Sequence, residues 1–207
     1  MRASQTIATA TILVMSLAGC GVQINQSINV ADGESIDGDR TTVNGSIRIG
    51  SGCDVSGDCQ TVNGRITVGD GSRVGSLATV NGRITLGKNV LVNGDLATVN
   101  GGITVGSGGK ISDSVGTING TIELTSSRVD GDVNLTNGDL EMTDGSVVAD
   151  DVILKGGKGS TPPRISITGA SVVEGDIVVR GRKGVVVHLS DGGEVRGEVR
   201  GAEVVRD

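Results

Sequence analysis

Pairs of apolar residues two positions apart recur along the chain, at Ile28/Val30, Ile47/Ile49, Ile66/Val68, Ile84/Leu86, Ile103/Val105, Ile122/Leu124 and Leu140/Met142, always with a polar residue between them. Alternation with a period of two marks a strand with one buried face. Each pair begins three residues after an Asn, at Asn25, Asn44, Asn63, Asn81, Asn100, Asn119 and Asn137, and the gaps are 19, 19, 18, 19, 19 and 18 residues. A second apolar position follows 11 residues after the Asn (Ile36, Val55, Val74, Val92, Ile111, Val148, with Val129 one place early). A third follows at 14 or 15 residues (Cys59, Leu77, Leu96, Val115, Val133, Val152). A fixed period near 20 residues marks a stacked repeat architecture. Three short strands per period, bent at Gly-rich corners such as Gly50-Ser51-Gly52 and Gly69-Asp70-Gly71, predict an all-β chain. It is expected to wind as a single-stranded parallel β-helix, a solenoid of about nine coils of 18–19 residues. The mixed spacing departs from the strict period of 18 of left-handed hexapeptide helices, so the expected hand is right. Stacked at about 4.8 Å per coil, nine coils make a rod of about 43 Å.

The recurring Asn-Gly predicts corners with left-handed backbone, where Asn and Gly carry the smallest steric cost. Stacked at one corner, the seven Asn amides are expected to bond one another as a structural ladder. Thr42/Asn44, Thr61/Asn63, Thr79/Asn81, Thr98/Asn100 and Thr117/Asn119 read as outward pairs around an inward Val. Regularity fails late: Lys155 to Arg164, with Pro162-Pro163, reads as a projecting loop. Strands then resume with Ile165/Ile167 at a period of 20 to 22 and carry Arg180, Arg182, Arg196 and Arg200, read as a charged cap.

The first residues bear on location. Arg2 followed by the short apolar stretch Ile7 to Leu17 reads as an export signal, too short to span a bilayer as a mature helix. Leu17-Ala18-Gly19-Cys20 resembles the lipobox of bacterial lipoproteins. That resemblance implies cleavage before Cys20, diacylglycerol on its sulfur and an acylated amino terminus, with membrane contact through the acyl chains. Gly21, where that family uses Asp for inner-membrane retention, implies the outer membrane. The expected organisation is a lipoprotein signal peptide at 1–19, regular coils at 20–155, a Pro/Gly loop at 156–163 and less regular coils with a cap at 164–207.

Composition narrows the chemistry. The net charge is -6, and loss of Arg2 with the leader makes it -7, a balance unsuited to nucleic acid. Phe, Tyr and Trp are absent, so there is no stacking platform for sugars or bases. Cys53 and Cys59 are candidates for a disulfide in an exported protein, and no His accompanies them as a zinc set would require. Neither a metal nor a cofactor is expected.

In its repeats the chain resembles the bactofilins, polymer-forming right-handed β-helices. The resemblance rests on Val129-Asp130-Gly131-Asp132-Val133, Val173-Glu174-Gly175-Asp176-Ile177 and Val195-Arg196-Gly197-Glu198-Val199. Thr-Val-Asn-Gly-x-Ile, at Thr61 to Ile66 and Thr79 to Ile84, also resembles adhesin-type solenoids of bacterial envelopes. These resemblances imply a non-enzymatic, lipid-anchored scaffold or adhesin-like protein that associates with itself end to end. A second reading makes the Thr/Asn rows an ice- or surface-binding face. A third, ranked last, makes Asp130/Asp132, Asp139 and Asp150/Asp151 the acids of a polysaccharide-active enzyme, with His188 an outward strand residue.

Overall fold

A computed structural model describes residues 23–156 and 162–207. Cys20 and the leader lie outside the described residues. The chain winds as a parallel β-helix with three strands per coil, and no helix occurs among the described residues. Wall 1 has ten strands, from Ile28–Val30 to Glu203–Arg206. Walls 2 and 3 have nine each, from Ser35–Ile36 to Glu194–Val195 and from Arg40–Thr42 to Val199–Arg200. Every pairing is parallel and in the register read from the sequence, as in Ile84↔Ile66 and Ile84↔Ile103.

The core is a set of columns of like residues. Ile47, Ile66, Ile84, Ile103 and Ile122 stack along wall 1, Val55, Val74, Val92 and Ile111 along wall 2, and Leu77, Leu96 and Val115 along wall 3, all buried. β-branched side chains suit this pleated stacking, and burial of each is worth about 1.5–3 kcal/mol. The irregular region interrupts the chain without breaking the stack. Leu140 pairs with Ile165, and Asp139 meets Arg164 across a coil of 25 residues. The next coil spans 22, from Asp176 to Glu198. The walls therefore keep their register on both sides of this interval, at Lys155 in wall 3 and at Ile165 in wall 1.

Left-handed backbone is confined mainly to the corner between walls 1 and 2, where the first six coils place one such residue each (Gly33, Gly52, Gly71, Asn89, Gly108, Ser126) and the last three place two (Asp144/Gly145, Gly169/Ala170, Asp191/Gly192). This corrects the expectation for the Asn-Gly corner. Of the seven ladder Asn residues, Asn25 alone has a positive φ, at 59°. Asn81, Asn100, Asn119 and Asn137 are the last residues of extended wall-3 strands.

Candidate functional site

The Thr-Val-Asn-Gly corner resolves into three separate tasks. The Asn amides form a continuous ladder: Nδ2 of Asn44, Asn63, Asn81, Asn100, Asn119 and Asn137 each donates to Oδ1 of the Asn one coil below, at 2.7–3.1 Å. The following Gly allows the closest backbone approach in the rod. A Cβ on Gly101 would overlap the Gly82 carbonyl oxygen, and the same holds for Gly64 on Gly45 and Gly120 on Gly101. The Thr satisfies that crowded carbonyl. Thr61 Oγ1 donates to Gly45 O at 2.8 Å, Thr79 to Gly64 O at 3.0 Å and Thr98 to Gly82 O at 3.0 Å.

These bonds overturn the reading of the Thr rows as an outward binding face. Thr42, Thr61, Thr79, Thr98 and Thr117 are all buried, and the intervening Val43, Val62, Val80 and Val99 are the residues turned outward, half-buried. The physical reason is that a corner carbonyl inside the rod needs a donor, and leaving it bare costs about 1–3 kcal/mol.

Cys53 and Cys59 are free, buried thiols, not the disulfide expected. They belong to different walls. Cys53 precedes the wall-2 strand Asp54–Val55 in an inward column shared with Ser72, whose Oγ accepts the Cys53 N–H at 3.1 Å, while Cys53 Sγ donates to Ala31 O at 3.0 Å. Cys59 begins a wall-3 strand between Arg40 and Leu77. Burial, partly offset by Arg40, pushes the Cys59 thiol up to about 12, so it is neither thiolate nor nucleophile at neutral pH.

Of the five carboxylates read as an enzyme's acids, Asp150 is exposed and the other four are engaged in holding coils together. Asp130 receives Arg128 Nε at 2.6 Å and Lys110 Nζ at 3.2 Å. Burial works to raise its pKa, but these two cations outweigh it and hold the carboxyl below its usual value. Asp139 Oδ1 accepts the Arg164 N–H at 2.7 Å. Asp132 and Asp151 belong to a column that sequence reading missed, at the corner between walls 2 and 3. There Oδ1 of Asp39, Asp58, Asp95, Asp132, Asp151 and Asp176 each accepts the backbone N–H of the equivalent residue one coil on, at 2.7–3.1 Å. Burial raises the pKa of Asp95 and Asp132. The signal was available, since Asp39, Asp58, Asp95 and Asp132 each lie five residues before a ladder Asn. His188 stands between Ser166 and Val205 in wall 1, on an outward, half-buried strand position.

A second set of contacts runs up the outer edge of wall 2, where Arg128 reaches Glu174 at 3.8 Å and Glu174 meets Arg196 at 3.3 Å. These partly exposed pairs are worth at most about 1 kcal/mol each. At the two ends of the rod the arrangement changes. Among the described residues the last strand of each wall and the first strands of walls 1 and 2 have one edge unpaired, while Gln23 bonds the outer edge of Arg40–Thr42, the first strand of wall 3. Ile28 and Ile36 at one end, and Val195, Val199, Ala202 and Val204 at the other, are only partly buried against the core. In the last coil Arg200 pairs along the outside, on Asp176 at 3.2 Å and on Glu198 at 2.8 Å, whereas Arg206 follows the buried Leu189 in register in wall 1. The chain matches no protein-family model, no curated protein and no solved structure.

Proposed function

We propose that this chain is a non-enzymatic, lipid-anchored solenoid of a bacterial envelope, acting as a scaffold or adhesin-like element that associates with itself end to end. The observation that carries this reading is the pair of open ends. Among the described residues the far end presents three parallel strand edges and the near end two, each over a half-buried apolar floor, in a stack whose every internal coil already docks on its neighbour in the same way. Exposed edges of this kind template addition of another strand, and a second copy offers several at once. The lipobox resemblance at Cys20 supports the anchor, and its Gly21 the outer membrane. The acidic body supports contact with lipid through acyl chains, with nucleic acid excluded on charge. Resemblance to polymer-forming β-helices points the same way.

The test is sedimentation velocity of the mature chain carrying Cys20→Ser, with and without Val204→Pro. Glu203 N–H already bonds Val185 O, so strand alternation turns the Val204 N–H to the free edge. Proline there removes an edge donor without touching an internal bond. The expected result is mass that keeps growing with concentration and a proline variant arrested at small species. A single monomeric boundary at all concentrations would overturn the proposal.

A further inference from the structure

We infer that the outer face of wall 1 binds a second copy of this chain, side by side and antiparallel. Read up the rod, its central outward positions are Arg48, Thr67, Thr85, Thr104, Glu123 and Glu141, one per coil in unbroken register. Arg65 and Arg83 stand immediately before the Thr67 and Thr85 strands and extend the basic end, and Asp139 extends the acidic end. Through these six coils the face is therefore basic below, hydroxyl in the middle and acidic above, with Arg164 standing one coil beyond Asp139.

This segregation contrasts with wall 2, where Lys110, Arg128, Asp130, Glu174 and Arg196 interleave and pair within the chain. On wall 1, Arg48, Arg65, Arg83 and Glu141 make no side-chain hydrogen bond or ion pair with the described residues. The opposite charges lie far apart along the wall: Arg83 is two coils from Glu123, about 10 Å, and Arg48 is five coils from Glu141, about 24 Å at the strand spacing. A two-fold axis along the strands, passing between Thr85 and Thr104, brings these groups together. It sets Arg48 opposite Glu141 of the second copy, Thr67 and its neighbour Arg65 opposite Glu123, and Thr85 opposite Thr104. Every contact occurs twice, as an isologous interface requires. A parallel pair about the rod axis would instead oppose Arg48 to Arg48, so the charge pattern selects the antiparallel arrangement.

Six coils of a three-residue strand offer about 300 Å² per copy, well under the roughly 800 Å² of a stable complex, so the pair is weak and dominated by charge. This interface uses the side of the rod and does not depend on end-to-end stacking. The two are separable because opposed surface charges are screened by salt whereas strand addition is not.

The experiment is sedimentation equilibrium of the mature Cys20→Ser, Val204→Pro chain, in which end growth is blocked, at about 20 mM and about 300 mM salt. A monomer–dimer equilibrium is expected at low salt and its loss at high salt. Arg48→Glu, at an exposed position, should weaken dimerisation about tenfold or more because two repulsive pairs replace two attractive ones. The double exchange Arg48→Glu with Glu141→Arg should restore it. A monomer at low salt and millimolar concentration, or a dimer indifferent to Arg48→Glu, would overturn the inference. Growth beyond dimer that ignores salt would also overturn it, by assigning association to the ends.

Discussion

The Gly82 carbonyl oxygen accepts Thr98 Oγ1 on one side while the Cα of Gly101 packs against it from the next coil. Two residue types are thus fixed by one acceptor. Gly101→Ala should cost about 3 kcal/mol or more, because a methyl would overlap backbone that cannot move. Gly71→Ala, with a φ of 69° and nothing within 4 Å of the added carbon, should cost only about 1–2 kcal/mol of backbone strain. Urea unfolding of the two variants checks the order, and equal losses would contradict the close-approach account. The spacing of Thr-Val-Asn-Gly was legible in the sequence, and so was the Asn ladder. Which of Thr and Val faces inward was not, because hydropathy favours Val inside and only the backbone reveals the carbonyl that needs the hydroxyl. The acidic column gives a pH effect of definite sign. Asp132 has its pKa raised above 3.8 by burial, so its stabilising contribution is complete below 3.8 and is lost as pH rises through the folded value. Asp132→Asn keeps an Oδ1 acceptor for the Asp151 N–H and removes the buried charge. It should raise the melting temperature at pH 7 and flatten its fall between acid and neutral pH.

At the scale of the element, one coil is the unit. Three short strands, one left-handed corner and, in most coils, one Asn amide and one Asp or Ser at the wall 2–3 corner make each turn self-sufficient once a neighbour covers it. The alternation, the three strands and their register could be read directly, since a slip of one residue would turn Ile84 and Leu86 to solvent. The late coils were harder to place. Their inward residues, Ile165, Val173 and Ile177, were identified, but the 25-residue coil hid how the stack continues past Pro162. Removing residues 82–100, one whole coil, should leave a cooperative fold with an unbroken β spectrum and a modestly lower melting temperature. Removing 82–91 should abolish folding, since it joins half a coil to the next and puts the three walls out of register. Circular dichroism during thermal unfolding distinguishes these outcomes, and equal behaviour of the two deletions would count against a coil as the unit.

For the whole molecule, the walls run without interruption from Ile28 to Arg206, so the rod has two ends and three long faces. The ends carry the proposed stacking, wall 1 carries the proposed lateral pairing, and the proposed anchor at Cys20 would hold the first coil near a lipid surface, because Ile28 follows Cys20 by only eight residues. The fold and the expectation of end-to-end association were readable from the sequence, whereas the proposed lateral pairing was not, since the charge gradient of wall 1 emerges only after the coils are stacked. Cryo-electron microscopy of the mature Cys20→Ser chain, at high concentration and about 300 mM salt to suppress lateral pairing, tests the end-to-end claim most directly. Stacked rods should give filaments one solenoid wide with an axial repeat of about 43 Å and a continuous rise of about 4.8 Å across the junctions between copies. Discrete single rods at every concentration, or filaments in which the 4.8 Å rise breaks at each junction, would contradict it.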